Sequence, residues 1–186
     1  MPVIREKAQL MSASEIDRTL VRLAHEVVEK SGALDKLAFI GVRRRGVPLA
    51  QRLARKVEQL EKRAVPVGIL DINLYRDDLS TVADKPQLSS TDIPFSVTDL
   101  DIVLVDDVLY TGRTTRAALD ALFDEGRPRR IQLCVLIDRG HRELPIEARF
   151  VGKYVDTSDD EIIEVKLEET DQQEKVLLVE RVTDGS

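Results

Sequence analysis

The chain is 186 residues long, 42% hydrophobic and 33% charged, with a formal net charge of −6. Such a length fits one domain, residues 1–186, large enough to bury a substantial core. The acidic balance does not advertise a nucleic-acid binder, no apolar stretch approaches a membrane span, and the N-terminal PVIREKAQL lacks a signal-peptide apolar region. A single cysteine, Cys134, lies in the apolar run IQLCVLI; it excludes an intramolecular disulfide and reads as a buried structural thiol, consistent with a cytoplasmic setting. The charge is uneven: residues 1–63 carry fourteen basic against eight acidic side chains, and residues 156–186 three against eleven. Such polarity leaves either a basic face on an acidic protein or ordinary solvated surface.

From the amino terminus, Ser12-Ala13-Ser14-Glu15 offers a capping box, and Ile16, Leu20, Leu23, Ala24, Val27 and Val28 recur at helical spacing until Gly32. Residues 37–42 predict a short apolar strand ending in Arg43-Arg44-Arg45-Gly46. Pro48 sits where a helix's first turn tolerates it, and helical periodicity continues over residues 49–60. A second strand is predicted at 65–70. Residues 75–99 are rich in Asp, Ser, Thr and Pro, lack apolar periodicity and read as one long loop, a length that is usually functional or mobile. A strand at 102–105 precedes a helix from about 113 to 125, ended by Gly126 with Pro128 beyond it. Further strands are predicted at 131–137 and 149–151, with a terminal hairpin from 162–167 and 175–182. This alternation argues an α/β fold, a mostly parallel central sheet flanked by helices on both faces. Its strand-to-helix loops gather at the carboxyl ends of the strands, where open sheets bind ligands.

The most informative stretch is Ile102-Val103-Leu104-Val105-Asp106-Asp107-Val108-Leu109-Tyr110-Thr111-Gly112-Arg113-Thr114. An apolar run enters two carboxylates and then a Thr-Gly-Arg-Thr turn at a helix start. The turn supplies hydroxyls, a glycine that permits close backbone approach, and unsatisfied N–H groups, which together suit a phosphate. The carboxylates cannot hold a phosphate, but they can accept hydrogen bonds from a sugar diol, so the stretch describes a site for a ribose 5-phosphate. A glycosidase-like acid/base pair is a poor reading of Asp106 and Asp107. Such groups flank the scissile bond about 5 Å apart or more, whereas adjacent strand residues leave as neighbours toward alternate sides.

This stretch resembles the phosphoribosyl-pyrophosphate (PRPP) loop of the type I phosphoribosyltransferases. With LYRDDLS (74–80) and IDRGHRELPI (137–146), the chain is similar to one family in particular, the pyrimidine-operon attenuation regulators that are also uracil phosphoribosyltransferases. The resemblance runs from about the first helix to the C-terminal hairpin. It implies a type I phosphoribosyltransferase fold with a mobile flap loop and a small base-covering hood. It implies transfer from PRPP to uracil, giving UMP and pyrophosphate, with Mg²⁺ carried by PRPP near Asp106 and Asp107. It also implies a homodimer or homotetramer, and binding of pyrimidine-operon leader mRNA.

The resemblance also assigns roles. Thr111, Gly112, Arg113 and Thr114 take the 5-phosphate within the PRPP stretch 102–114. Asp106 and Asp107 sit near the ribose hydroxyls. Arg44 and Arg45 form the pyrophosphate loop, Arg45 joining the two aspartates as a catalytic group, and Arg76 adds a pyrophosphate contact from the flap. Asp138, Arg139 and Val155 mark the uracil end, although Tyr154-Val155-Asp156-Thr157-Ser158 departs from the family's usual Asn-Val/Ile-Pro-Thr-Ser run. Neither His25 nor His141 is an obvious general base. For RNA, Arg18, Arg22, His25 and Lys30 fall on or near one face of the first helix, joined by His141, Arg142 and Lys153 from later loops. Glu147 stands where many relatives carry arginine, and Asp156, Asp159, Asp160 and Glu161 would repel RNA if they border that surface. Two alternatives stay open: an attenuator with little catalysis, and a phosphoribosyltransferase for another nucleobase without RNA binding.

Overall fold

A computed structural model describes residues 3–73 and 90–183. In chain order the elements are β1 (Val3–Met11), α1 (Ala13–Ser31), β2 (Leu37–Val42), α2 (Gly46–Glu61), β3 (Val67–Leu70), β4 (Asp101–Leu109), α3 (Arg113–Phe123), β5 (Arg130–Asp138), β6 (Phe150–Tyr154), β7 (Glu161–Lys166), α4 (Glu168–Asp171) and β8 (Lys175–Val182). Five strands form a parallel sheet in the order β3-β2-β4-β5-β6, and three form a separate antiparallel sheet in the order β1-β8-β7. This is the α/β architecture expected from the sequence, and the smaller sheet with α4 forms the hood.

The central strands read as unbroken apolar runs because both of their faces are covered. All six residues of β2 are buried. Leu37 and Phe39 pack in the core with α1 and α2, while Ala38, Ile40 and Val42 pack in a second core with α3. In β4, Val103 and Val105 join the first core and Ile102 and Leu104 the second. Each such side chain removed from water contributes about 1.5–3 kcal/mol. Hood residues Ile163, Val165, Leu167 and Val176 lie in the same core as α1 and α2, so the hood is seated on the helical face of the sheet. The predicted capping box starts α1: Glu15 N–H donates to Ser12 Oγ and Ser12 N–H to Glu15 Oε1, each at 3.3 Å.

Four features differ from the sequence reading. Strand β4 does not stop at Val105. It continues through both carboxylates to Leu109, because the ladder to β5 persists from Asp106↔Val135 to Leu109↔Asp138. Strand β1 was not expected; most of its residues are exposed, and it forms by pairing with distant β8. The single turn α4 also interrupts the expected hairpin. Finally, residues 90–99 are not part of a free loop: Asp92 bridges Ile69, Val97 is buried, and Ile93 and Phe95 pack on the α3-side core. Residues 74–89, which include LYRDDLS and Arg76, lie outside the described residues. No helix among the described residues is long and apolar enough to cross a membrane.

Candidate active site

The carboxyl ends of β2, β3 and β4 converge on a cavity of about 850 Å³, lined by Arg43, Arg44 and Arg45, by Asp71, Ile72, Asn73 and Ser90, and by Asp106, Asp107, Val108 and Thr114. Next to it, a hollow of about 350 Å³ lies at the start of α3, lined by residues 108–115 and Glu143. Val108 and Thr114 border both, so the two adjoin.

The hollow owes its shape to Gly112. This residue caps α3 at φ 93°, a left-handed conformation that disfavours side chains, and offers no side-chain acceptor to the first-turn N–H groups. A Cβ there would lie 3.4 Å from the Cβ atoms of Leu144 and Ile146. Thr111 Oγ1 accepts from Arg113 N–H at 3.3 Å, and Thr114 is exposed at the mouth. Helix-start amides together with two threonine hydroxyls suit a dianion.

In the larger cavity, Asp106 and Asp107 are both half-buried and line the same space, although the expected strand alternation sends them to opposite sides. Asp106 Oδ1 accepts from Asp107 N–H and Asp107 Oδ1 from Val108 N–H, each at 2.9 Å, which fixes both carboxylates against the backbone. The arginine turn is held close to β4 by Gly46: a Cβ at that position would lie 2.3 Å from Val105 O. Arg44 is exposed. Arg45 is engaged from the hood, its Nε and Nη2 donating to the two Asp171 carboxylate oxygens at 3.1 and 2.7 Å. That pair raises Arg45 above its ordinary value and, with N–H of Leu167 and the Thr170 hydroxyl, holds Asp171 far below the usual carboxylate range. The peptide between Arg43 and Arg44 is cis.

Not every predicted PRPP residue can touch a ligand. Ile102, Val103, Leu104 and Val105 are at most 1% exposed and spent on the two cores, so their contribution is to place the loop that follows. Conversely, three lining groups were missed. Asp71 at the end of β3 is buried, which pushes its carboxyl up, but N–H bonds from Asn73 and Ser90, the Ser90 hydroxyl and the nearby Arg43 charge outweigh that and leave it below its ordinary value. Arg43 donates to Ser90 O at 3.3 Å. The only signal for these was position, at a strand's carboxyl end beside a basic turn. Glu143, in the hollow's wall, gave no signal at all.

At the expected base end, Asp138 and Arg139 are buried and have internal partners. Asp138 accepts from Arg142 Nη2 at 2.8 Å and from Gly140 N–H at 2.9 Å. Arg139 donates to Thr157 Oγ1, Ser158 O and Glu161 O, and its guanidinium stacks 4.0 Å over the Tyr110 ring. Both side chains therefore brace the loops around β5 and β6. Val155 is half-buried beside the helical core, its N–H donating to Asp138 O at 2.9 Å.

The basic residues singled out for RNA divide into two groups. Arg18, Arg22, His25 and Lys30 are exposed on α1. Lys153 of β6 lies beside them, since Arg22 donates to Gly152 O at 2.5 Å and Lys153 Nζ to Leu10 O at 3.1 Å. His141 and Arg142 belong instead with the loop between β4 and α3 and the 157–159 segment. Arg142 is largely buried, donating to Tyr110 O and Asp138, and His141 Nε2 lies 2.6 Å from Thr157 O. Glu147 is exposed 3.5 Å from Arg142 Nε, Asp159 3.3 Å from His141, and Glu161 is paired with Lys7. This acidic group sits with His141 and Arg142.

Residues 9–170 match the phosphoribosyl transferase domain family. The chain is 58% identical to the bifunctional protein PyrR of Pelotomaculum thermopropionicum over 176 residues, covering 95% of this chain and 97% of that one. It is equally 58% identical to the bifunctional protein PyrR of Thermus thermophilus over 178 residues, covering 96% and 98%. Among solved structures it is similar in fold to a hypoxanthine-guanine phosphoribosyltransferase from Bacillus anthracis, with TM-score 0.69 and 22% identity over 97% of this chain and 100% of that one. The hypoxanthine phosphoribosyltransferase of Trypanosoma cruzi gives TM-score 0.71 and 15% identity over 95% and 98%. With a phosphoribosyltransferase model spanning most of its length and relatives more than half identical nearly end to end, the chain belongs to the PyrR family of bifunctional proteins, within the type I phosphoribosyltransferases.

Proposed function

We propose that the chain transfers the phosphoribosyl group of PRPP to uracil, giving UMP and pyrophosphate, and that it also regulates pyrimidine-operon expression by UMP-dependent binding to leader mRNA. The observation that carries the catalytic reading is the pair of adjoining cavities. Its helix-start hollow, carboxylate pair and arginine turn match the 5-phosphate, diol and pyrophosphate of PRPP in order. Thr111, Thr114 and the first amides of α3 hold the 5-phosphate. Asp106 and Asp107 accept hydrogen bonds from the 2- and 3-hydroxyls and orient the ribose. Among the described residues no group of three or more His, Cys, Asp or Glu could hold a metal. The two aspartates fit Mg²⁺ carried on PRPP oxygens, where it would offset the charge of the departing pyrophosphate. Arg43 and Arg44 neutralise the same group from the other wall, while Arg45 is held by Asp171 and shapes the turn.

Catalysis then consists of positioning and electrostatics, with no covalent intermediate on the protein. The pyrophosphate leaves as positive charge develops at ribose C1, next to the Asp106 and Asp107 carboxylates, and uracil N1 attacks from the side of the β5 and β6 loops. Neither histidine lines the cavity, so the proton acceptor for N1 is left unassigned. Incubation with PRPP, Mg²⁺ and uracil, hypoxanthine, guanine or adenine in turn tests the substrate. Uracil alone is expected to turn over; a purine turned over in its place would refute the assignment.

The RNA reading is supported by the exposed basic face of α1 with Lys153. Beside it, a groove of about 490 Å³ lined by Arg22, Lys30 and Arg149, by Glu26 and Glu29, and by apolar residues carries Tyr154, which is 72% exposed. Phosphate attraction and ring stacking are the two forces that single-stranded RNA offers such a surface. Gel shifts with leader RNA, with and without UMP, are expected to show UMP-strengthened, salt-sensitive binding; no specific binding at low salt would sink this reading.

A further inference from the structure

The segment after β5 is fastened to the phosphate loop. Arg139 N–H donates to Leu109 O at 3.0 Å, Arg142 Nη1 to Tyr110 O at 2.6 Å, and the N–H groups of Glu143 and Leu144 both to Thr111 O at 2.9 and 3.2 Å. From this segment the Glu143 side chain enters the wall of the hollow, with Oε1 3.0 Å from Arg113 Nε. A carboxylate in the wall of a hollow suited to a dianion opposes the ligand by like-charge repulsion and occupies a guanidinium the ligand could use. The pair is also easily broken. Its side chains are 44% and 52% exposed, a setting in which ion pairs contribute little and are screened by salt.

We propose that Glu143 is an acidic placeholder for the ligand phosphate: it holds Arg113 while the hollow is empty and is expelled when a ribose 5-phosphate enters, shifting the 139–146 segment. The proposal rests on the reading of residues 111–114 as the 5-phosphate site. Its energy source is explicit, since the phosphate interacts differently with the two positions of Glu143. Its reach is also visible in the contacts. His141, two residues away, touches Thr157 O and the Asp159 carboxylate, so movement of the segment is felt at the loop between β6 and β7. By reciprocity, whatever holds the segment away from Arg113 favours phosphate binding. The placeholder thus supplies a route by which nucleotide occupancy changes the protein's outer surface.

Full-length Glu143→Gln and Glu143→Asp test this by calorimetric titration with UMP and with uridine, which lacks the phosphate, together with amide hydrogen exchange. Glu143→Gln removes the exposed ion pair that an entering phosphate must break, a gain of roughly two- to fivefold in affinity. Glu143→Gln is therefore expected to bind UMP roughly two- to fivefold more tightly with uridine unchanged, and Glu143→Asp to behave as wild type. In the wild-type protein, UMP is expected to protect residues 111–114 and to speed exchange at the Glu143 and Leu144 amides; in Glu143→Gln those two amides exchange faster before UMP is added. Unchanged or weaker UMP affinity in Glu143→Gln, or an equal gain for uridine, overturns the placeholder while protection at 111–114 keeps the site. UMP that leaves 111–114 unprotected in wild type overturns both.

Discussion

Gly46→Ala should uncouple catalysis from folding. The new Cβ would lie 2.3 Å from Val105 O and 3.2 Å from Asp106 Cα. An unstrained carbon–oxygen contact needs about 3.3 Å, so the start of α2 and the middle of β4 must separate by about 1 Å. Sliding α2 over β2 gives no escape, because Gly41 already approaches the Gly46 carbonyl so closely that its own Cβ would lie 2.5 Å from that oxygen. Overpacking of this kind costs about 1–3 kcal/mol, which a domain of ordinary stability survives with a melting temperature lower by about 2–12 °C. The active site is less forgiving. The separation falls between the arginine turn and the carboxylate pair, and a misplacement of about 1 Å in a near-attack geometry costs about 100-fold in rate. Initial rates of UMP formation, with thermal melts on the same samples, are the assay. A folded Gly46→Ala protein whose kcat lies within twofold of wild type would refute the claim that the two walls act together across this contact.

Four further outcomes are expected. Asp106→Asn and Asp107→Asn, made singly, should each lower kcat/KM by roughly ten- to a hundredfold, the worth of a hydrogen bond to a charged acceptor, with little change in melting temperature. Asp171→Asn should raise the KM for PRPP and destabilise by about 1–3 kcal/mol, between the values for exposed and buried pairs, as read from denaturant midpoints. Asp171 and Glu161 are both held below the ordinary carboxylate range, Glu161 at about 2 through Lys7 and the Ser158 N–H. Their stabilisation is therefore complete above about pH 5 and lost as pH falls toward the folded-state values, so the acid slope of melting temperature below pH 4 should flatten in Asp171→Asn and in Glu161→Gln. Burial pushes the Cys134 thiol up to about 12, so a thiol reagent at pH 8 should label it only after denaturation.

The sequence exposed those parts of the molecule whose causes are local. The β2 run and the Ser12–Glu15 capping box carry their own signals within a few residues, and so does the stretch from β4 to α3, where strand, glycine and helix start are contiguous. Strand β1 carries none: VIREKAQLM has no alternation to read, and it becomes a strand because β8 supplies the partner. The same holds for the site's supports. The partner that holds Arg45, Asp171, lies 126 residues further on, so nothing near the arginine turn announced the pair. Asp138 and Arg139 looked available for a base until Arg142, Thr157, Ser158 and Glu161 were brought to them. Composition could hint at a basic face but not divide it, and the division between α1 with Lys153 and the His141–Arg142 pair depends on which loops β5 and β6 place together.

The central claim, that one cleft binds PRPP with its phosphate at α3 and its pyrophosphate at the arginine turn, is tested most directly by a crystal structure of the protein with PRPP and Mg²⁺. The 5-phosphate is expected on the amides and hydroxyls of Thr111–Thr114, the ribose diol beside Asp106 and Asp107, and the pyrophosphate facing Arg43 and Arg44. PRPP bound in the reverse direction, or outside the cleft altogether, would contradict it.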